Sequence, residues 1–382
     1  TLERSSAASD VYKRQLITNA VSNFQANPDL KPELVEEFEI GVDAGLFEDA
    51  VAINASVYKR ETNDMIVSKG LPTSTGFTST QDNIGEVESD GVEIDVDMNM
   101  FKILPLSVDG LSWNSRINFT KSESIVTKQE DEQILFGGGV DIGNVAIEGF
   151  PLGTIVGGRI ERNDDGEYIV NAAGDYNSEF TIAIDDNGNE VPLGTEGSRQ
   201  VNAILGNPEP DFVMNYINSI NYKNFTLGFH FQHVSGGDMY SSTIGVLLGR
   251  GNVRSDRRET FVLEGVNADG SPNTIMINNS QYYFTNILNG PAELSVFDAS
   301  VIRLQEVSFA YTFPQEFLDK TPFGELSLTF AGYNLWHDAY NTPEEVNFDP
   351  NVAGAGIGNA RGIDYMNGPS TKRYGVSLKA SF

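Results

Sequence analysis

The sequence predicts an all-β chain that forms a portion of an antiparallel transmembrane β-barrel. Three observations predict this fold. Apolar and polar residues alternate with a period of two, most of the alternating runs have ten or more residues, and short and long connections follow one another in turn. Strands of soluble proteins usually have about five or six residues, whereas a tilted membrane strand needs about 9–11.

The alternation defines about nine strands. They cover approximately residues 33–46, 51–66, 84–100, 111–121, 211–222, 225–235, 298–313, 325–337 and 372–382. In the first strand, Phe38, Ile40 and Val42 alternate with Glu39 and Gly41, and the later strands repeat this arrangement. We expect the apolar side of every strand to face lipid and the acidic, Asn-rich side to face a watery lumen.

The connections predict which end of the barrel is which. Short connections fall at 47–50, 101–110, 223–224 and 314–324, and long ones at 67–83, 122–210, 236–297 and 338–371. Outer-membrane barrels have short periplasmic turns and long extracellular loops. Counting nine alternations then places the C-terminal Phe382 on the periplasmic side, where we interpret it as the assembly signal of a closing strand.

The N-terminal residues do not fit this pattern. Residues 1–15 have neither helical nor strand periodicity, and residues 6–15 resemble translated sequencing-adapter sequence. We therefore expect 1–15 to be a non-native leader and assign 16–382 to the barrel. Because nine strands cannot close a bacterial barrel, we also expect the chain to be a fragment of a longer protein.

Composition excludes several functions. The formal net charge of -29 repels phosphate backbones, which argues against nucleic-acid binding. The chain has no Cys and three His, which removes thiolate chemistry and leaves little material for a zinc or iron site. Nucleotide-binding, serine-hydrolase and metalloprotease motifs are missing from the sequence. We therefore expect no enzyme activity, no catalytic residues and no cofactor.

Seven stretches carry a family resemblance. They are Asn27–Glu33 (NPDLKPE), Asn83–Glu93 (NIGEVESDGVE), Phe150–Thr154 (FPLGT), Gly206–Pro210 (GNPEP), Tyr222–Phe225 (YKNF), Asp298–Leu304 (DASVIRL) and Gly332–Leu335 (GYNL). In this order they resemble motifs in the C-terminal barrel half of TonB-dependent outer-membrane transporters, in particular the SusC/RagA-like family of Bacteroidota.

The resemblance implies a function and partners. It implies a barrel of 22 strands, of which this chain supplies about nine, and import of a bulky nutrient, an oligosaccharide in preference to a peptide. It further implies a SusD-like lipoprotein lid and a TonB–ExbB–ExbD complex that acts through an N-terminal part not found in this sequence. A passive porin and a secreted β-rich glycan-binding or adhesin module remain open as alternatives.

Candidate binding residues lie in the long loops and at their ends. Arg250, Arg254 and Arg258, with Arg257, form a basic cluster that could hold a carboxylate or sulfate of an anionic glycan, or could be a solvated loop. Aromatic candidates for sugar stacking are Tyr240, Tyr282, Tyr283, Trp336 and Tyr340. For Trp336, together with Tyr333, we favour an aromatic girdle at the membrane interface.

Acidic clusters in the loop 122–210 suggest one weaker alternative. Asp185, Asp186, Asn187, Asn189 and Glu190 offer the oxygen ligands that Ca²⁺ prefers, but Glu190 stands where an EF-hand loop needs Gly. We therefore expect an Asx-rich turn of a small hairpin here, with calcium as the alternative. We assign no other metal site.

Overall fold

The computed structural model describes residues 23–104, 108–129, 133–138, 141–252, 258–343, 346–352 and 361–382. The expected leader, 1–15, lies outside these residues. The strands are, in chain order, β1 Phe24–Gln25, β2 Leu34–Leu46, β3 Val51–Gly70, β4 Ser79–Asn99, β5 Leu111–Gln129, β6 Ile134–Gly138, β7 Ile142–Ala146, β8 Thr154–Gly157, β9 Arg159–Ile160, β10 Ser178–Glu179, β11 Thr181–Ile184, β12 Glu190–Val191, β13 Arg199–Asn202, β14 Ile204–Gly206, β15 Phe212–Tyr222, β16 Phe225–Ser235, β17 Asp238–Ser241, β18 Thr260–Val262, β19 Met276–Asn278, β20 Val296–Asp298, β21 Val301–Thr312, β22 Glu325–Asp338, β23 Ile363–Asp364 and β24 Arg373–Ser381.

Helices are few and short in the described part of the chain. The α-helices are Met100–Ile103, Ser242–Arg250, Asn279–Gln281 and Gln315–Leu318; Tyr282–Leu288 is a π-helix, and Thr73–Thr75, Ala292–Ser295 and Pro350–Val352 are 3₁₀ turns. None of the described helices is long and apolar enough to cross a bilayer.

One large antiparallel sheet organises the molecule. Its long strands pair in the order β2-β3-β4-β5-β15-β16-β21-β22-β24, and the short β1 adds a parallel pair with β4. Each long strand pairs with the next long strand along the chain, which is an up-and-down meander. Their lengths range from 9 residues in β24 to 21 in β4. The predicted all-β fold and its nine long strands are confirmed.

The register keeps one face of this sheet mainly apolar, with Ser115 and Asn218 as a polar pair within it. Ile40 lies opposite Val57 in the neighbouring strand, and in the last three strands Phe309, Phe330 and Val376 lie side by side. Several of these side chains remain exposed, with Val376 at 68%. Since side chains alternate along a strand, every second residue lies on the same side except where a bulge shifts the register, as between β16 and β21 and between β21 and β22.

Three strands are longer than predicted. The connection between β3 and β4 spans only 71–78, not 67–83, and β5 continues to Gln129 instead of ending at 121. The predicted boundaries are wrong because the alternation is broken where β3 carries a bulge between Thr62 and Met65 and Asp64 has φ 55°. Beyond the bulge, Met65 and Val67 join a buried core with Val126.

The long connections fold into small structures of their own. Strands β6, β7, β8 and β14 form a four-stranded sheet, β12-β11-β13 a three-stranded one, and β20-β17-β23 another. A core of Val145, Ile147, Val156, Ile182 and Ile184 joins the first two sheets. The loops therefore present ordered surfaces at the end of the large sheet opposite the tight turns.

Candidate functional site

The three longest connections interlock into one body. We call it the loop assembly and define it as the described residues of 141–206, 236–300 and 339–371. Asp175 joins the first connection to the second, since its Oδ1 accepts hydrogen bonds from Thr285 Oγ1 at 2.6 Å and from Asn286 Nδ2 at 3.0 Å. Glu293 adds a second link, accepting from the Ile160 backbone N at 2.7 Å and pairing with Arg162 at 2.7 Å.

The third connection is fastened by buried charges. The side chain of Asp364 is completely buried, and its Oδ2 accepts from Ser241 Oγ at 2.7 Å and from the Thr243 backbone N at 3.1 Å. Arg303, on β21, pairs with Asp349 at 2.9 Å, and both side chains are about 95% buried, with 4% and 5% exposed. Ion pairs at this depth hold a loop in place because separating them leaves a buried charge without compensation.

The motifs that carried the family resemblance lie at junctions of the molecule. Asn83 accepts from the Lys31 backbone N at 2.7 Å and donates to the Lys31 carbonyl at 3.0 Å and to the Asp64 carbonyl at 2.7 Å. The NPDLKPE and NIGEVESDGVE stretches therefore contact each other directly. Asn207 of GNPEP likewise donates its backbone N–H to Asp238 Oδ2 at 2.8 Å.

Three of the tyrosine candidates are half-buried in the loop assembly. Tyr240 lies on β17 opposite Ile363, and burial raises the pKa of its phenol. Burial also raises the pKa of Tyr282, whose ring lies 5.6 Å from that of Tyr283. Tyr283 packs against the core that contains Ile244 and Leu248. Tyr282 and Tyr283 therefore support the fold of the second connection and expose only part of their rings.

Trp336 and Tyr340 lie at the edge of the apolar face. Trp336 pairs with Leu304 across β21 and β22 on that face, and Tyr340 shares a 3.0 Å hydrogen bond with Nε2 of His233. The rings of His233 and Phe212 are 5.3 Å apart, and Phe212 stacks on Phe119 at 5.4 Å. We call Trp336, Tyr340, His233, Phe212 and Phe119 the upper aromatic belt. Their position favours the girdle interpretation of Trp336 over sugar binding.

A second group of aromatic rings lies at the tight-turn end of the same face. Phe225 contacts Phe309 at 5.6 Å and Tyr311 at 4.9 Å. Phe323 lies 5.2 Å from the C-terminal Phe382, which is 92% exposed. We call Phe225, Tyr311, Phe323 and Phe382 the lower aromatic belt, and Phe309 lies further from the tight turn on the same face. The apolar face is therefore bracketed by aromatic residues at both ends.

The basic cluster is only partly described. Arg250 is the exposed last residue of the helix Ser242–Arg250, and Arg258 is also exposed. Arg254 and Arg257 lie outside the described residues. The two described guanidinium groups are therefore at the surface of the second connection, and the fork expected for an anionic glycan remains a prediction.

The acidic candidates for calcium form a hairpin turn. Asp185 Oδ1 accepts from the backbone N–H groups of Asn187 at 2.9 Å and Asn189 at 2.8 Å, and these bonds lower the pKa of the exposed Asp185 carboxyl. Glu190 is held by Arg159 at 2.6 Å, which lowers the pKa of the Glu190 carboxyl. Asp186 is at the exposed tip. Among the described side chains, no group of three or more His, Asp or Glu is arranged to hold a metal ion.

The polar face of the large sheet has two chemically different parts. Across β2 to β5 it carries charged side chains, some of them in ion pairs, as in the 2.6 Å contact of Arg116 with Asp97. Across β15, β16 and β21, uncharged groups form a chain of hydrogen bonds: His230 Nε2 with Asn215 Oδ1 at 2.9 Å, and Gln305 Nε2 to Gln232 Oε1 at 2.8 Å. We call His230, Asn215, Gln232 and Gln305 the amide ladder. Sequence reasoning missed it because alternation gives the face of a side chain but not its hydrogen-bond partner, and β21 is separated from β16 by a long connection.

Comparisons with known proteins agree on one family. The family model for the TonB dependent receptor-like β-barrel matches residues 5–155. TonB-dependent receptor P3 of Formosa agariphila is 25% identical over the whole chain, which spans 37% of that protein. TonB-dependent receptor SusC of Bacteroides thetaiotaomicron is 23% identical over 53% of this chain and 19% of its own length. The chain thus spans little more than a third of the curated relatives it matches.

Solved structures show the same fold. The RagAB peptide importer in its closed-closed state superposes with a TM-score of 0.62 over 93% of this chain and 36% of that chain, at 17% identity. A further structure of the RagAB peptide transporter gives a TM-score of 0.59. The sequence matches, the shared fold and the nine-stranded meander lead to one conclusion: this chain has the β-barrel fold of TonB-dependent receptors and is similar to their SusC/RagA-like members.

Proposed function

We propose that this chain is part of the barrel wall of an outer-membrane transporter that imports a bulky nutrient, and that the nutrient is an oligosaccharide. The observation that carries the membrane part of the proposal is the apolar face between the two aromatic belts. From Phe225 to His233 on β16 the chain rises about 27 Å along the strand. With a tilt of about 40° this corresponds to about 20 Å across the bilayer, close to the apolar band of outer-membrane barrels.

The substrate class is supported by the chemistry of the polar face. The amide ladder offers amide and imidazole groups that donate and accept hydrogen bonds without carrying a fixed charge. Such groups match the hydroxyls of a neutral sugar. Tyr240 adds a partly exposed aromatic ring above the same strands. No covalent step is proposed, because binding and release are sufficient for import.

Two partners complete the proposal. A SusD-like lipoprotein would cover the loop assembly as a lid, and a TonB–ExbB–ExbD complex would act on a plug domain. The pairing of the barrel with a lid lipoprotein is supported by the match to SusC and by the RagAB structures. The interlocked loops are suitable for a lid because they form a broad ordered surface at the extracellular end.

The test uses the complete gene product. We expect the protein to fractionate with the outer membrane, to migrate on a gel in a heat-modifiable manner, and to import a neutral oligosaccharide only when proton-motive force is present. A soluble full-length product would contradict the membrane assignment and favour a secreted glycan-binding module. Uptake that is unaffected by an uncoupler would favour a passive porin.

A peptide is the second candidate substrate, because the superposable RagAB structures are those of a peptide importer. A competition assay, in which unlabelled ligands compete with substrate uptake, distinguishes the oligosaccharide from the peptide. We expect neutral hexose oligosaccharides of about six units to compete with substrate uptake and peptides of similar size to leave it unchanged. Double replacement of Asn215 and Gln232 by Ala should weaken this competition, whereas Ser308→Ala on the same face should not.

A further inference from the structure

An exposed turn in the third connection combines large apolar side chains with a strained backbone. Tyr365 is 73% exposed and Met366 is 56% exposed, although they adjoin the buried residues Ile363 and Asp364. Met366 has φ 63°, in the left-handed region that side chains other than glycine rarely adopt. Strain of this kind persists only where the surroundings impose it.

Buried contacts impose that conformation from below. Asp364 Oδ1 accepts from the Asn367 backbone N at 2.9 Å, which closes the turn, while its Oδ2 accepts from Ser241 Oγ and the Thr243 backbone N. The Gly362 carbonyl accepts from the Tyr240 backbone N at 2.8 Å. A Cβ on Gly362 would lie 2.6 Å from the Asp238 carbonyl, so the base of the turn is tightly packed. The molecule thus holds two apolar side chains rigidly in solvent.

We propose that Tyr365 and Met366 form a knob that inserts into a pocket of the lid lipoprotein; this inference rests on the proposed function. The turn presents two exposed side chains, whereas small-molecule sites are concave, so a protein pocket fits it better than a sugar does. Tyr and Met are enriched at the centres of protein interfaces, and a preorganised side chain loses little entropy on binding.

The charges around the turn indicate which side chains the rim of the lid pocket should carry. Residues 361–373 carry three basic side chains, all exposed: Arg361, which lies 3.9 Å from Glu209, Arg373, which lies over the Tyr333 ring, and Lys372. Their one acidic residue, Asp364, is completely buried. In a chain with a net charge of -29, this segment is a local basic surface. The lid pocket should therefore be apolar at its centre and acidic around it.

The experiment measures the affinity of the complete transporter, in detergent, for the purified lid lipoprotein encoded beside it. The variant is Tyr365→Ala with Met366→Gly, because Gly adopts the left-handed turn without strain. The matched control is Met276→Ala, another apolar side chain in the loop assembly, 68% exposed. We expect the knob variant to bind about thirtyfold more weakly, as truncation of a hot spot does, and the control to bind normally. Lid affinity tests the knob. Heat-modifiable gel migration and substrate uptake of the wild type test the proposed function independently of the knob.

Each other outcome overturns the inference. An unchanged lid affinity in the knob variant, with membrane location and uptake intact, would reject the knob and leave the transporter assignment standing. An equal loss in the Met276→Ala control would show unspecific apolar adhesion. Loss of sugar uptake with normal lid affinity would place Tyr365 against the substrate instead. A wild type that binds no lid would overturn both this inference and the lid in the proposed function.

Discussion

Replacing Phe330 by Arg tests whether the apolar face meets lipid. Phe330 is 51% exposed on β22, between Phe309 and Val376, and lies five residues from the tight-turn end of its strand. At about 3.3 Å per residue and a tilt of about 40°, this places it about 13 Å into the apolar band, near the middle of the bilayer. An Arg at that depth costs about 2–4 kcal/mol. The folding equilibrium should therefore fall by a factor of about thirty to several hundred.

Thr329→Arg is the matched control. Thr329 is the preceding residue, pairs with Ala310 and Ser377, and faces the polar side. Because that side is hydrated, we expect its replacement to cost less than about 1 kcal/mol. The assay is urea titration of the complete protein folded into lipid vesicles, followed by heat-modifiable gel migration.

Two results would refute the reasoning. Equal destabilisation by the two variants would mean that the two faces meet the same environment. A wild type that is as stable in buffer without lipid as in vesicles would mean that the apolar face is covered by protein. Either result would remove the basis for a transporter.

Four further predictions concern the long connections and their contacts with the sheet. Arg303→Ala should destabilise the docking of the third connection by about 3–5 kcal/mol, seen as faster hydrogen exchange around Asp349, while the double variant Arg303→Met, Asp349→Leu should recover most of the loss. Because hydrogen bonds lower the pKa of Asp185, its carboxylate stabilises the hairpin at every pH above the ordinary pKa of 3.8, and this stabilisation is lost as the pH falls through the folded-state pKa. The hydrogen-exchange protection of the Asn187 and Asn189 amides should therefore drop in acid. In Asp185→Asn the same protection should not depend on pH. Titration with Ca²⁺ should leave those amides unchanged, since calcium binding would shift them. Arg254→Ala with Arg258→Ala should weaken uptake of anionic substrates only, and unchanged uptake of every substrate would contradict a role for the basic cluster.

The large sheet could be predicted because each strand is marked by alternation within its own sequence and pairs with the next long strand along the chain. β15 and β16 were placed within one residue of their bounds, since alternation is uninterrupted on both sides of the two-residue turn at Lys223, which has φ 53°. Each long strand pairs with its neighbour in the meander, so knowing the strands was nearly enough to know the sheet. β3 to β5 were cut short because a bulge breaks their period.

The candidate site could not be predicted in the same way. Asp175 and Asn286 are 111 residues apart, and Ser241 and Asp364 are 123 apart. No periodicity in the sequence connects such residues, and an Asp in an acidic loop gives no sign that it is buried. The tyrosines were correctly placed in loops, but their half-burial depends on packing between connections. Tyr365 was missed because nothing in its local sequence marks it as the exposed tip of a rigid turn.

The unequal strand lengths have a mechanical consequence. β4 has 21 residues and β15 has 11, so one side of the wall rises about 30 Å further along its strands than the other. The first connection packs against this taller side at Met65, Val67 and Val126. We therefore expect the first connection to be held more firmly than the second and third connections, which leave the sheet at its shorter side.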